Sequence, residues 1–113
     1  MIDLVLAVNT ADPDDLAMKL AVRIDLSFSA RESSYWGPYL NCPLAGGGKL
    51  EVHLNADPMY EEGDPDDQRY FVAEHPDCAV LIRATLTASQ ESELTGCLVA
   101  MGLTYHQVSR EDG

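Results

Sequence analysis

Positive charge is the scarcest commodity in this chain. Lys and Arg together number 7 against 19 Asp and Glu, for a formal net charge of −12. A chain so short of cations is repelled by phosphate backbones and by anionic lipid, which argues against a nucleic-acid grip or a membrane-surface role. Long apolar runs are missing too. No stretch approaches the roughly 18 to 20 apolar residues that cross a bilayer. The opening segment Met1 to Asn9 is short, lacks a basic flank and contains Asp3, so it reads as a buried strand and not as a signal peptide. Cysteine is sparse and odd in number: Cys42, Cys78 and Cys97, with no C-x-x-C spacing, which excludes a disulfide framework and a zinc ribbon. Cys97 lies on a helical apolar stripe and Cys78 opens an apolar strand, so both read as reduced core thiols. Cys42 falls in a loop and is the one thiol with scope for reactivity. The expected location is cytoplasmic.

What remains is an ordinary globular composition. The 113 residues are 46% hydrophobic and 23% charged, enough for one small domain spanning 1–113. Ile2 to Val8 predict a first strand. Asp12 then offers a cap, Pro13 suits the first helical position, and Asp14 and Asp15 meet the positive end of the helix dipole. Leu16, Leu20 and Ile24, with Ala17 and Ala21, give that helix its apolar face, and Arg23 suits its end. From Ile24 the period becomes two, with Leu26, Phe28 and Ala30 alternating against polar residues, which predicts a second strand. Ser33 to Leu40 is aromatic and extended, with Gly37 and Pro38 marking an edge or bulged strand. Alternation there places Tyr35 and Tyr39 on one face and Trp36 on the other. A turn at Pro43–Gly48 and the strand Lys49 to Asn55 complete a predicted hairpin.

Residues 56–76 form a long acidic loop in which Pro58, Pro65 and many carboxylates break any period. Loops of that length tend to carry function or move. Cys78 to Leu86 then predicts a central strand, apolar on both faces apart from Arg83. Thr87 and Gln90 have capping-box spacing, and Leu94, Cys97, Leu98 and Met101 follow as a helical stripe ending at Gly102. Leu103 to Val108 is a last strand, and Ser109 to Gly113 a polar tail. The order β-α-β-β-β, loop, β-α-β predicts an α+β ferredoxin-like sandwich: two helices on one face of a mostly antiparallel sheet of about five to six strands.

The acid cluster is the sharpest chemical feature. Asp57, Glu61, Glu62, Asp64, Asp66, Asp67, Glu74 and Asp77 share one stretch whose only cation is Arg69. Crowding like charges costs stability, and such a field speeds docking of a basic partner while repelling wrong ones. The plainer reading is a solvated loop in an acidic protein. Ca²⁺ is a poor fit: Pro58 and Pro65 interrupt the segment, Gly63 is one place late, and Gln68 stands where an EF-hand has Glu. Aromatics beside acids suit a protein-binding surface, so the candidate partner-binding residues are Asp57, Tyr60, Glu61, Glu62, Asp64, Asp66 and Asp67, with Tyr35 and Tyr39. His53 and His106 occupy apparent outward strand positions and His75 precedes Pro76. None has a partner at a metal or triad spacing. Gly46 to Gly48 lies between strands and not before a helix, so it is no phosphate loop. No catalytic residue and no metal or cofactor site is read from the sequence.

Tyr35-Trp36-Gly37-Pro38-Tyr39, the glycine turn, the strand Lys49 to Asn55, the acidic loop, Phe71 with His75-Pro76, and Val80-Leu81-Ile82 together resemble small acidic bacterial immunity proteins encoded beside polymorphic toxins. The resemblance spans roughly residues 33 to 108. It implies a non-catalytic inhibitor whose partner is a basic cognate toxin protein, bound without cofactor, nucleic acid or membrane. An alternative is a small ligand-binding or regulatory ferredoxin-like domain with a pocket between helices and meander, where an apolar cavity lined by His53 and the tyrosines would favour it. A small enzyme built on Cys42 or a histidine is a third class.

Overall fold

In the computed structural model residues 1–113 are described, except for the side chain of Asp67. Strand pairing sets the architecture. The elements run β1 (Ile2–Val8), α1 (Pro13–Ile24), β2 (Ser29–Ser33), β3 (Gly37–Pro43), β4 (Lys49–Leu54), a 3₁₀ turn (Asp66–Gln68), β5 (Val80–Leu86), α2 (Ala88–Ala100) and β6 (Tyr105–Asp112). They form one six-stranded sheet in the order β2-β3-β4-β5-β1-β6. Every neighbouring pair is antiparallel. Because β5 and β6 both flank β1, the α2 crossover makes a split β-α-β unit, as a ferredoxin-like core requires. The β2–β3 hairpin extends that core at one edge.

Ile2, Leu4, Leu6 and Val8 alternate toward the helices and join Leu16 and Leu20 of α1, Leu94, Cys97 and Leu98 of α2, and Leu50, Val52, Ile82 and Leu86 of the sheet in one buried cluster. Burying a leucine fully is worth about 1.5–3 kcal/mol, so this layer dominates the stability. Both helix starts follow their local chemistry. Asp12 accepts from the Asp14 N–H at 2.9 Å. Thr87 Oγ1 accepts from the Gln90 N–H at 3.2 Å while Gln90 Oε1 accepts from the Thr87 N–H at 2.9 Å. Arg110 donates twice to Glu91, at 2.8 and 3.1 Å, pinning β6 to α2.

Four expectations are corrected. Ile24 belongs to α1, where it continues the stripe from Leu20; Asp25 ends the helix in the left-handed region (φ 52°), and paired strand begins only at Ser29. Ser34 to Trp36 form the β2–β3 turn and are not strand, so alternation does not govern Tyr35 and Trp36. Cys42 is not in a loop: it lies on β3 opposite Leu50, faces the core and is 1% exposed. The segment Ser109 to Asp112 is no tail, since it pairs along β1 as far as Ile2. A register shift near Val5 leaves Val108 as an extra residue on β6, and this bulge, with Glu111 and Asp112, blunts an otherwise open edge. Among the described residues no helix is long and apolar enough to cross a membrane.

Candidate functional site

The acidic loop is ordered from its neck. Asn55, fully buried at the end of β4, accepts the Val72 N–H at 2.8 Å and donates from Nδ2 to the carbonyls of Val72, His75 and Cys78 at 3.2, 3.1 and 3.0 Å. Its backbone takes two more bonds, from the Phe71 N–H and to the Ala79 carbonyl. Asp57 N–H donates to the Arg69 carbonyl at 2.9 Å and Ala56 bridges Tyr70, so the excursion closes as an Ω-loop with adjacent ends.

Inside that excursion the carboxylates serve turns. Asp57 Oδ1 accepts the Met59 N–H at 2.9 Å, and Asp64 Oδ2 accepts the Glu61 N–H at 3.0 Å. Tyr60 Oη donates to the Asp64 carbonyl at 3.2 Å, and the Arg69 guanidinium lies 5.7 Å from the Tyr60 ring centre. Glu61, Glu62, Asp64 and Asp66 are exposed, whereas Asp57 and Tyr60 are half-buried. The side chain of Asp67, also a candidate, lies outside the described residues. Among the described residues no three His, Cys, Asp or Glu side chains converge as a metal would need. The aromatic turn adjoins the loop: a β-carbon at Gly37, whose φ is 71°, would lie 3.4 Å from Pro58. Tyr35, on that turn, is 73% exposed, while Tyr39 is half-buried with its ring perpendicular to that of Trp36, ring centres 5.3 Å apart.

The sheet face opposite the helices holds a cluster that sequence reasoning missed. His53 is not outward and wet; it is fully buried. Trp36 stacks flat on it with ring centres 4.7 Å apart, and Phe71 packs edge-on at 5.5 Å. His53 Nδ1–H donates to the Leu54 carbonyl at 2.8 Å, which leaves Nε2 to accept from Arg83 Nε–H at 2.9 Å. Acceptance at Nε2 requires the neutral ring, whereas the Nδ1–H bond would persist in the imidazolium. Burial, and secondarily the Arg83 charge, lower the His53 pKa to about 4 against the opposing Leu54 bond. The Arg83 guanidinium lies 5.2 Å from the Trp36 ring centre. With Nε2 engaged and the ring covered, His53 offers no free base; it holds Arg83 and the β2–β3 turn against the sheet. Arg83, the one charge in an otherwise apolar strand, was the available signal.

The cavity expected beside His53 is instead on the helix side of the sheet. It has a volume of about 310 Å³ and opens between the end of α1 and the connector after it (Ile24, Leu26), β3 at Cys42, the β3–β4 turn (Leu44, Ala45) and the start of α2 (Gln90, Glu93, Leu94). Leu50 and Leu86 also line it. Its wall is braced. Gln90 Nε2 donates to the Ala45 carbonyl at 2.9 Å, tying the α2 cap to the turn. Gly48 lets the same turn press on β5, since a β-carbon there would overlap the Thr85 carbonyl. Cys42 Sγ lies 3.5 Å from the Pro43 carbonyl as donor, so the thiol is buried and spoken for. The chain matches no family model and no curated protein.

Proposed function

We propose that this chain is a small ligand-binding or regulatory domain of ferredoxin-like type, acting by binding and not by catalysis. The observation that carries the proposal is the 310 Å³ cavity between helices and meander, apolar at Ile24, Leu26, Leu44, Leu50, Leu86 and Leu94. Cavities of this size with a mainly apolar lining and a few polar groups suit small molecules. Naphthylmethanol, a neutral probe of fitting size, is expected to bind saturably by ¹⁵N shift titration, with the largest shifts at Leu26, Leu44 and Leu94. Ala45→Trp, on the exposed rim of the turn, is expected to abolish those shifts while leaving the fold intact. Shifts spread evenly over the surface, or unaffected by Ala45→Trp, contradict the proposal. Three buried free thiols support placing the protein in the reducing cytoplasm.

A second reading is the immunity protein, favoured by one observation: the exposed carboxylates of Glu61, Glu62, Asp64 and Asp66 stand on an ordered loop that abuts the Tyr35 turn. A basic toxin cleft would meet both the charge and an exposed aromatic ring. Its test uses the purified C-terminal domain encoded by the adjacent upstream gene. Complex formation is expected, with an association rate that drops about tenfold or more when these four residues become Gln or Asn. Absence of a complex, or an unchanged rate and salt dependence, contradicts this reading.

A further inference from the structure

We infer that the cavity between helices and meander selects an apolar molecule bearing a protonated amine. The inference rests on the ligand-binding reading above and adds the chemical class. The polar side chains lining the cavity are Ser27, Gln90, whose amide engages the Thr87 N–H and the Ala45 carbonyl, and the two carboxylates Asp25 and Glu93. Both carboxylates are exposed at the rim, and among the described residues neither side chain has a hydrogen-bond or ion-pair partner. Among the described residues no cation lines the cavity. Arg23 faces the adjoining groove, which Asp25 and Glu93 also border.

Three sources of negative potential thus meet at one mouth. Asp25 caps α1 at its C-terminal end, whose partial negative charge is offset by the positive N-terminal end of α2 beside the same cavity, so the carboxylate itself is the source. Glu93 projects from the second turn of α2 on the opposite wall. The net charge of −12 adds a long-range field of the same sign. A carboxylate or phosphate ligand entering with its charge at this rim is opposed by all three. An ammonium is favoured by all three, while its apolar body reaches Leu26, Leu44, Leu50 and Leu94. Rim carboxylates are wet, so each adds a modest factor to affinity and not an anchor.

The test compares three probes of one shape: naphthylmethylamine, naphthylmethanol and naphthylacetate. The amine is expected to bind about fivefold to tenfold more tightly than the alcohol at low salt, and the acetate more weakly than either. The double substitution Asp25→Asn and Glu93→Gln is expected to remove most of the amine's advantage over the alcohol, leaving at most the small part due to the remaining net charge, and to leave the alcohol unchanged. Asn tolerates the left-handed backbone at position 25, and the alcohol serves as a check that the cavity survives. If the alcohol binds in the cavity but the amine gains nothing, the amine selectivity is wrong and the cavity stands. If none of the three binds there, the ligand-binding reading itself falls. An amine preference undiminished in the double variant also overturns the inference, because it then reflects net charge alone.

Discussion

Asn55→Ala is expected to be among the most damaging single substitutions, costing about 3–4 kcal/mol of unfolding free energy. One side chain satisfies the N–H and carbonyl of Val72 and the carbonyls of His75 and Cys78. Val72 and Cys78 are buried, so their backbone groups would lose partners away from water. Asn55→Asp sharpens the point. It keeps the shape and the acceptor for Val72 but turns an amide whose two hydrogens are shared among three carbonyls into an anion facing those oxygens. It is expected to be at least as destabilising as alanine. Urea unfolding of the two variants checks this; a loss below about 1 kcal/mol for either shows that Asn55 does not hold the loop.

Acid should act through His53. Its pKa is lowered from 6.5 to about 4 in the folded chain. The unfolded chain therefore binds more protons between those values, and stability falls as pH drops from about 6.5 toward 4. A shift of that size corresponds to a loss of about 3 kcal/mol of stability, absent above about pH 6.5 and complete below about pH 4. The remaining surface works in the opposite direction, since titrating carboxylates in a chain of net charge −12 relieves self-repulsion. The diagnostic is consequently a difference: the stability gap between wild type and His53→Gln should shrink by about 3 kcal/mol across the window. A gap independent of pH would show that His53 titrates normally.

What the sequence made legible was local. Asp12-Pro13 and the Thr87–Gln90 box located both helix starts, because capping is settled within one turn of chain. The strand–helix order led to the ferredoxin-like sandwich, which the six-stranded sheet bears out. Long-range contacts stayed hidden. His53 alternates with apolar residues as an outward strand residue should, yet Trp36 and Phe71, from distant segments, cover it. Leu26 and Phe28 do alternate, but as a packed connector after the left-handed Asp25 and not as paired strand. Cys42 was misplaced because Pro38 and Pro43 bracket a genuine strand with turn residues. The acidic loop was visible as composition, whereas its scaffold depends on one buried Asn at a strand end. The cavity draws its walls from both helices, β3 with its turn, β4 and β5, so no local pattern announces it.

The most direct measurement is intermolecular NOE spectroscopy with naphthylmethanol. Cross-peaks from the naphthyl protons to the methyls of Leu26, Leu44, Leu86 and Leu94 are the predicted result, lost in Ala45→Trp. Cross-peaks only to exposed Met18, Val22 or Val99 on the outer helix surface, or none at all, would contradict a binding function for the space between helices and meander.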